Sequence, residues 1–171
     1  MELQGSAYLY ALATVSITFV GFSALLLVFR QTIGGRMTRY DAFFTLSFVQ
    51  AGFIVAMGAL LPPLLALYGL RDWTVWRISS AVDAALILAF VAAFPARRRR
   101  ATGRGAAPAY VWILLALQSL AGVDLVLAAA GKPLGPPAAS FAAAMTAMLI
   151  ASGIAYLAAL GLVFREPLGK S

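Results

Sequence analysis

Apolar residues in this chain fall into five long runs separated by short polar segments, at about 7–29, 41–68, 75–94, 108–130 and 138–164. A helix crosses the ~30 Å hydrocarbon core with about 20 mainly apolar residues, and each run is long enough. The runs are continuously apolar and do not alternate with period two, which excludes the ~10-residue strands of a membrane barrel. A chain in lipid must also satisfy its backbone hydrogen bonds internally, which favours helices. The pattern predicts an all-α, polytopic integral membrane helical bundle with five transmembrane helices. Little of the chain lies outside the runs, so one transmembrane domain is expected over residues 1–171.

The segments between the runs carry turn and stop signals. Gln31 to Gly35 reads as a turn because paired glycines permit positive φ. Thr38 followed by Asp41 reads as a capping box opening the second helix. The second run is overlong for an upright span. Pro62 and Pro63 near its far end predict a kink or break, read either as a hinge or as simple trimming of the helix. Pro95 is expected to close the third helix, and the Gly131–Pro137 loop to end the fourth. Trp73, Trp76 and Trp112 fit interfacial aromatic belts.

Composition sharpens this picture mainly by what is missing. Hydrophobic residues make up 63% of the chain and charged residues 11%, too apolar for a soluble domain to cover its surface. With no cysteine there is no disulfide, thiolate nucleophile or cysteine metal site. With no histidine there is no bis-His haem, His-ligated metal or His general base. No cofactor and no metal are expected. The first run is not expected to be a cleavable signal peptide, because Met1-Glu2 lacks a basic n-region and the run is too long.

The net charge of +7 is unevenly placed. Arg30, Arg36, Arg39, Arg97, Arg98, Arg99, Arg100, Arg104, Arg165 and Lys170 all fall on one side of a five-span arrangement; Arg71, Arg77 and Lys132 fall on the other. Short loops rich in Lys and Arg stay cytoplasmic, so the expected topology is N-out, C-in. The Arg97–Arg100 run has no aromatic platform for nucleic acid. It reads as a topology determinant resting on anionic lipid, with about 1 kcal/mol of attraction per basic residue near the surface.

Two acidic residues, Asp83 and Asp124, lie within spans. Counted from the far ends of their runs they sit about 12 and 9 Å deep. A charged carboxylate in a span costs about 2.5–3.5 kcal/mol on the insertion scale, so each should face protein or water. Arg77 is a candidate partner, either snorkelling outward or reaching across to Asp124. Gln50 and Gln118 are the other strongly polar intramembrane residues, and Thr14, Thr18 and Gly21 form a mildly polar stripe on the first helix. Together they either line a narrow hydrophilic path or tie the bundle together by interhelical hydrogen bonds.

The fifth run repeats alanine every four residues, at Ala143, Ala147, Ala151, Ala155 and Ala159. Small residues at such spacing let helix backbones approach closely in lipid, within a monomer or between copies, and a homo-oligomer is expected.

The segments Phe19-Val20-Gly21-Phe22-Ser23, Leu60-Leu61-Pro62-Pro63 and Val75-Trp76-Arg77-Ile78-Ser79 resemble a group of small uncharacterised bacterial polytopic membrane proteins. That group shares a GF-small first span, a proline at the outer end of the second and a W-R-x-S start to the third. The resemblance implies a bacterial inner-membrane setting and no particular chemistry. Three function classes follow from the residues. One is an oligomeric channel or transport protein for an ion or small solute, with Asp83 and Asp124 near the pathway. Another is a non-catalytic interaction, sensor or assembly subunit. The third, an intramembrane aspartyl protease, is disfavoured because Ala121-Gly122-Val123-Asp124 departs from the G-x-G-D signature.

Overall fold

The computed structural model describes residues 3–32, 39–103 and 108–163. They form five helices and no strand: α1 (Ser6–Thr32), α2 (Arg39–Leu67), α3 (Asp72–Thr102), α4 (Ala109–Ala129) and α5 (Pro137–Val163). All five are long and apolar enough to cross a membrane, as expected of a multi-pass membrane protein.

Helices α2, α3, α4 and α5 pack in a closed ring, each against the next, with α5 returning to α2. Helix α1 lies outside the ring. It packs along α2 and only grazes α5. Burial follows this plan, since 50% of the α2 span is buried against 33% of the α1 span. The α1–α2 contact is close because Gly52 has no side chain: a Cβ there would strike Val20 Cγ2, and Ser16 Oγ donates to the Gly52 carbonyl at 2.8 Å. Lipid removes the hydrophobic drive between helices, so such backbone approaches and interhelical hydrogen bonds carry the packing.

The bundle interior differs along its length. Toward the end away from the arginine run, Leu9, Val55, Val75, Ile87, Leu125, Phe141, Met145 and Met148 form one cluster of fully buried apolar side chains. Toward the arginine end, hereafter the basic end, Phe43, Phe44, Phe94, Val111 and Leu115 form a separate aromatic cluster, and Phe48 stacks on Tyr156 with ring centroids 4.5 Å apart.

Several sequence expectations are corrected. Helix α3 does not stop at Pro95; it runs on through the arginines to Thr102. One proline removes one N–H, and a run of good helix formers beyond it restores the ladder. The helix then ends at Gly103, where φ is +77° and the N–H returns to the Arg99 carbonyl at 3.0 Å. Nor does α2 break at Pro62 and Pro63; both lie inside a continuous helix and are buried. Helix α1 takes in Gln31 and Thr32 from the expected turn, and α3 begins at Asp72, ahead of the apolar run at 75. Trp76 faces protein and not lipid: it is 6% exposed and packs on Phe141 at 5.6 Å between ring centroids. The Thr38 cap lies outside the described residues, as do the Asp41 side chain and the Gly34-Gly35 turn.

The alanine stripe does not form one face. Ala143 is exposed, Ala147 and Ala155 are half-buried, and Ala151 is fully buried. The reason is geometric. A step of four residues overshoots a 3.6-residue turn by about 40°, so the stripe winds around the helix. The Ala159 side chain lies outside the described residues.

Candidate functional site

Asp83 projects from the middle of α3 into the seam with α2, and its residue is 0% exposed. The seam closes there because α2 presents Gly58. A Cβ on Gly58 would lie 2.6 Å from Asp83 Oδ1, 2.8 Å from Cγ and 2.9 Å from Oδ2, so the carboxyl rests directly on the α2 backbone. Neither carboxyl oxygen has a hydrogen-bond partner.

Two hydroxyls share this condition. Ser79 and Ser80 are buried, and their Oγ atoms are also without partners. They precede Asp83 by four and three residues, which places all three on one face of α3, a turn apart. A helical hydroxyl usually donates to the carbonyl four residues back. Thr14, Thr18, Ser23, Ser119 and Thr146 do so in this molecule, at 2.7–2.8 Å. Ser79 and Ser80 do not.

The prolines of α2 bear on the same point. In a helix, the N–H of residue 62 closes onto the carbonyl of residue 58, and that of residue 63 onto residue 59. Pro62 and Pro63 have no N–H, so the carbonyls of Gly58 and Ala59 lose those bonds, and Gly58 is the residue on which the Asp83 carboxyl rests. The site thus gathers a carboxyl, two serine hydroxyls and proline-freed carbonyls. These are hard oxygen donors of the kind that suits a proton or a small hard cation.

An apolar layer seals the site from the basic end. One turn along α3 comes Ile87, and Val55, Leu125 and Met148 from the other ring helices join it, all fully buried. Beyond that layer, Gln118 Nε2 donates to Ser152 Oγ at 3.1 Å, linking α4 to α5. These two residues line a small cavity, about 40 Å³, walled by Phe44, Phe48, Phe90, Phe94 and Tyr156. That volume holds a water or two.

The remaining sequence candidates do not converge on Asp83. Asp124 is half-buried at the edge of the packed face of α4, with Oδ1 buried and unpartnered. Arg77 joins neither aspartate. Its Nε donates to the Ala129 carbonyl at 2.8 Å, where α4 ends, and its guanidinium lies 5.1 Å from the Trp73 ring centroid. An exposed cation at a helix C-terminus satisfies a carbonyl that the helix cannot. Thr14 and Thr18 lie exposed on α1, away from Asp83, in an open groove with Phe19 and Phe22, each donating to its own helix at 2.8 Å. Gln50 accepts from Arg97 Nη1 at the basic end of the α2–α3 seam. The Gly58, Ser79 and Ser80 contributions were not singled out from the sequence. Their signals were present: two serines at i−4 and i−3 from an intramembrane aspartate, and a glycine four residues before a proline.

No family model, curated protein or solved structure matches this chain.

Proposed function

We propose that this chain is a membrane transport protein for a proton or small monovalent cation, with Asp83 as the group that holds it. The observation that carries the reading is the complete burial of the Asp83 carboxyl with both oxygens unpartnered. A carboxylate sealed in a bundle costs several kcal/mol unless something positive joins it. Ser79, Ser80 and the carbonyls freed by Pro62 and Pro63 supply further oxygens for that guest. Transporters often place coupling-ion sites where helix hydrogen bonding is interrupted in mid-membrane.

The apolar layer of Val55, Ile87, Leu125 and Met148 favours an occluding carrier over an open pore. Access would then require α2 and α3 to part at the Gly58 contact, with the two prolines as the softest stretch of α2. The proposal includes the bacterial inner membrane, N-out and C-in topology, anionic lipid against the basic loops, and assembly as a homo-oligomer. No catalytic step is invoked. A reporter fused after Ser171 should be active in the cytoplasm, and light scattering in mild detergent measures the number of copies.

The decisive test is flux in liposomes. The wild-type protein should dissipate an imposed proton or monovalent-cation gradient. Asp83→Asn keeps shape and hydrogen-bonding capacity but not the ionisable group; it should elute and unfold like wild type and carry no flux. Equal flux from Asp83→Asn removes Asp83 from the pathway. A wild-type protein that moves no ion moves the reading to a non-conducting interaction subunit, in which Asp83 braces the α2–α3 seam.

A further inference from the structure

Near the basic end of α3, Arg97 does something unusual for an arginine at the end of a span. Such side chains ordinarily snorkel outward, toward the nearer interface. The Arg97 guanidinium instead turns back toward the bilayer centre. Its Nη2 donates to the Phe90 carbonyl, seven residues earlier in α3, at 3.0 Å; Nη1 donates to Gln50 Oε1 on α2; and the cation lies 4.9 Å from the Phe90 ring centroid. Every one of these partners is neutral. The guanidinium is therefore positioned by three contacts and balanced by no anion among the described residues. Gln50 and Arg97 close the basic end of an open groove of about 400 Å³ between α2 and α3, whose remaining walls include Phe53, Leu86, Ala89 and Ala93.

We propose that this groove is a binding site for an anionic phospholipid of the leaflet at the basic end, its phosphate on Arg97 and one acyl chain along Ala93, Ala89 and Leu86. The groove is elongated along the helix: its wall from Leu86 to Arg97 follows about 16 Å of α3, so a chain can lie along it. The charges agree as well: of the five donors of a guanidinium, two are spent here on neutral oxygens and the Nε–H is buried, which leaves one donor on each Nη for a phosphate. The small side chains of Ala89 and Ala93 keep the groove open. Basic pockets between membrane helices are a general means of holding acidic headgroups.

The test is retention of lipid by the purified full chain, measured by native mass spectrometry after exchange into vesicles of mixed phosphatidylglycerol and phosphatidylcholine. Wild type should retain the anionic lipid over the zwitterionic one by about fivefold, the equivalent of about 1 kcal/mol for one basic residue. Arg97→Gln should abolish the preference, while Arg99→Gln, on the exposed arginine run, should keep it. Ala89→Trp fills the groove without changing charge and should lower retention of both lipids, which keeps the proposal testable if Arg97→Gln fails to fold. Excess inorganic phosphate should not displace the bound lipid. Equal retention of the two lipids by wild type overturns the proposal, as does an unchanged preference in Arg97→Gln. Displacement by inorganic phosphate, or full retention in Ala89→Trp, overturns the acyl-chain half of it.

Discussion

The α2–α3 seam contains two regions that treat an ionisable side chain in opposite ways. At Gly58 and Asp83 the helices touch, the carboxyl is 0% exposed, and it has no partner. At Gln50 and Arg97 the two helices line an open groove, and the guanidinium is held by neutral acceptors. The two ionisable groups are 14 residues apart on one helix, roughly 21 Å, too far to neutralise each other. On the proposed reading the sealed carboxyl takes a proton or a bare cation, and the open guanidinium takes a headgroup with its acyl chain. Glycine brings the helices together at one level, and small alanines line the groove at the other.

The largest test of this contrast is at Gly58. Gly58→Ala places a methyl within 2.6 Å of the Asp83 carboxyl, where the facing group sits on a packed helix. It should cost about 1–3 kcal/mol of stability in detergent unfolding, as overpacked cores do. Much of that cost should disappear in an Asp83→Ala background, and a double-mutant cycle measures the coupling. Additive effects would show that the seam is not as tight as described.

A smaller effect is expected where the tight contact is mainly with a partly exposed leucine. At Gly122 an added Cβ would lie 2.8 Å from Leu88 Cδ2 and 3.0 Å from Leu88 Cγ, a side chain with room to shift, and 3.4 Å from Ile87 Cγ2. Gly122→Ala should cost about 1 kcal/mol, at the low end of the same range. A penalty matching that of Gly58→Ala would mean that glycine contacts throughout the ring are equally rigid, and that Asp83 is nothing special.

In the open region the expected cost falls again. Gln50→Leu removes an acceptor from Arg97 and should cost about 0.6 kcal/mol, the average for interhelical hydrogen bonds in membranes. Its clearer signature is a change in lipid preference, readable by the same mass-spectrometric retention. Ala89→Leu, on the groove wall, should change stability by less than about 0.5 kcal/mol because the side chain points into open space. A destabilisation there as large as at Gly58 would erase the distinction between sealed and open halves.

How much of this was legible beforehand depends on the range over which each property acts. The five helices follow from apolar runs and the thickness of a bilayer, so runs near 41–68 and 108–130 anticipate α2 and α4 within two residues at each end. The end of α3 was not legible, because a lone proline stops a helix only when nothing beyond sustains it, and here the arginine run does. Asp83 was identifiable as an ionisable residue in an apolar run. That it faces Gly58, and not Arg77 or Asp124, depends on which helices are neighbours and how they are rotated.

Local composition therefore determined the membrane-spanning class, the number of helices and the bias of positive charge, since each depends only on transfer of a short segment between water and lipid. Tertiary structure alone decided that α1 stands outside the ring, that Thr14 and Thr18 turn away from it, and that the alanine stripe winds off one face. It also decided that Arg97 bends back toward the membrane. The physical reason is that apolar helices look alike to lipid on every side. What distinguishes one face from another is van der Waals fit and a few hydrogen bonds with residues remote in sequence, such as Ser16 with Gly52 and Gln118 with Ser152.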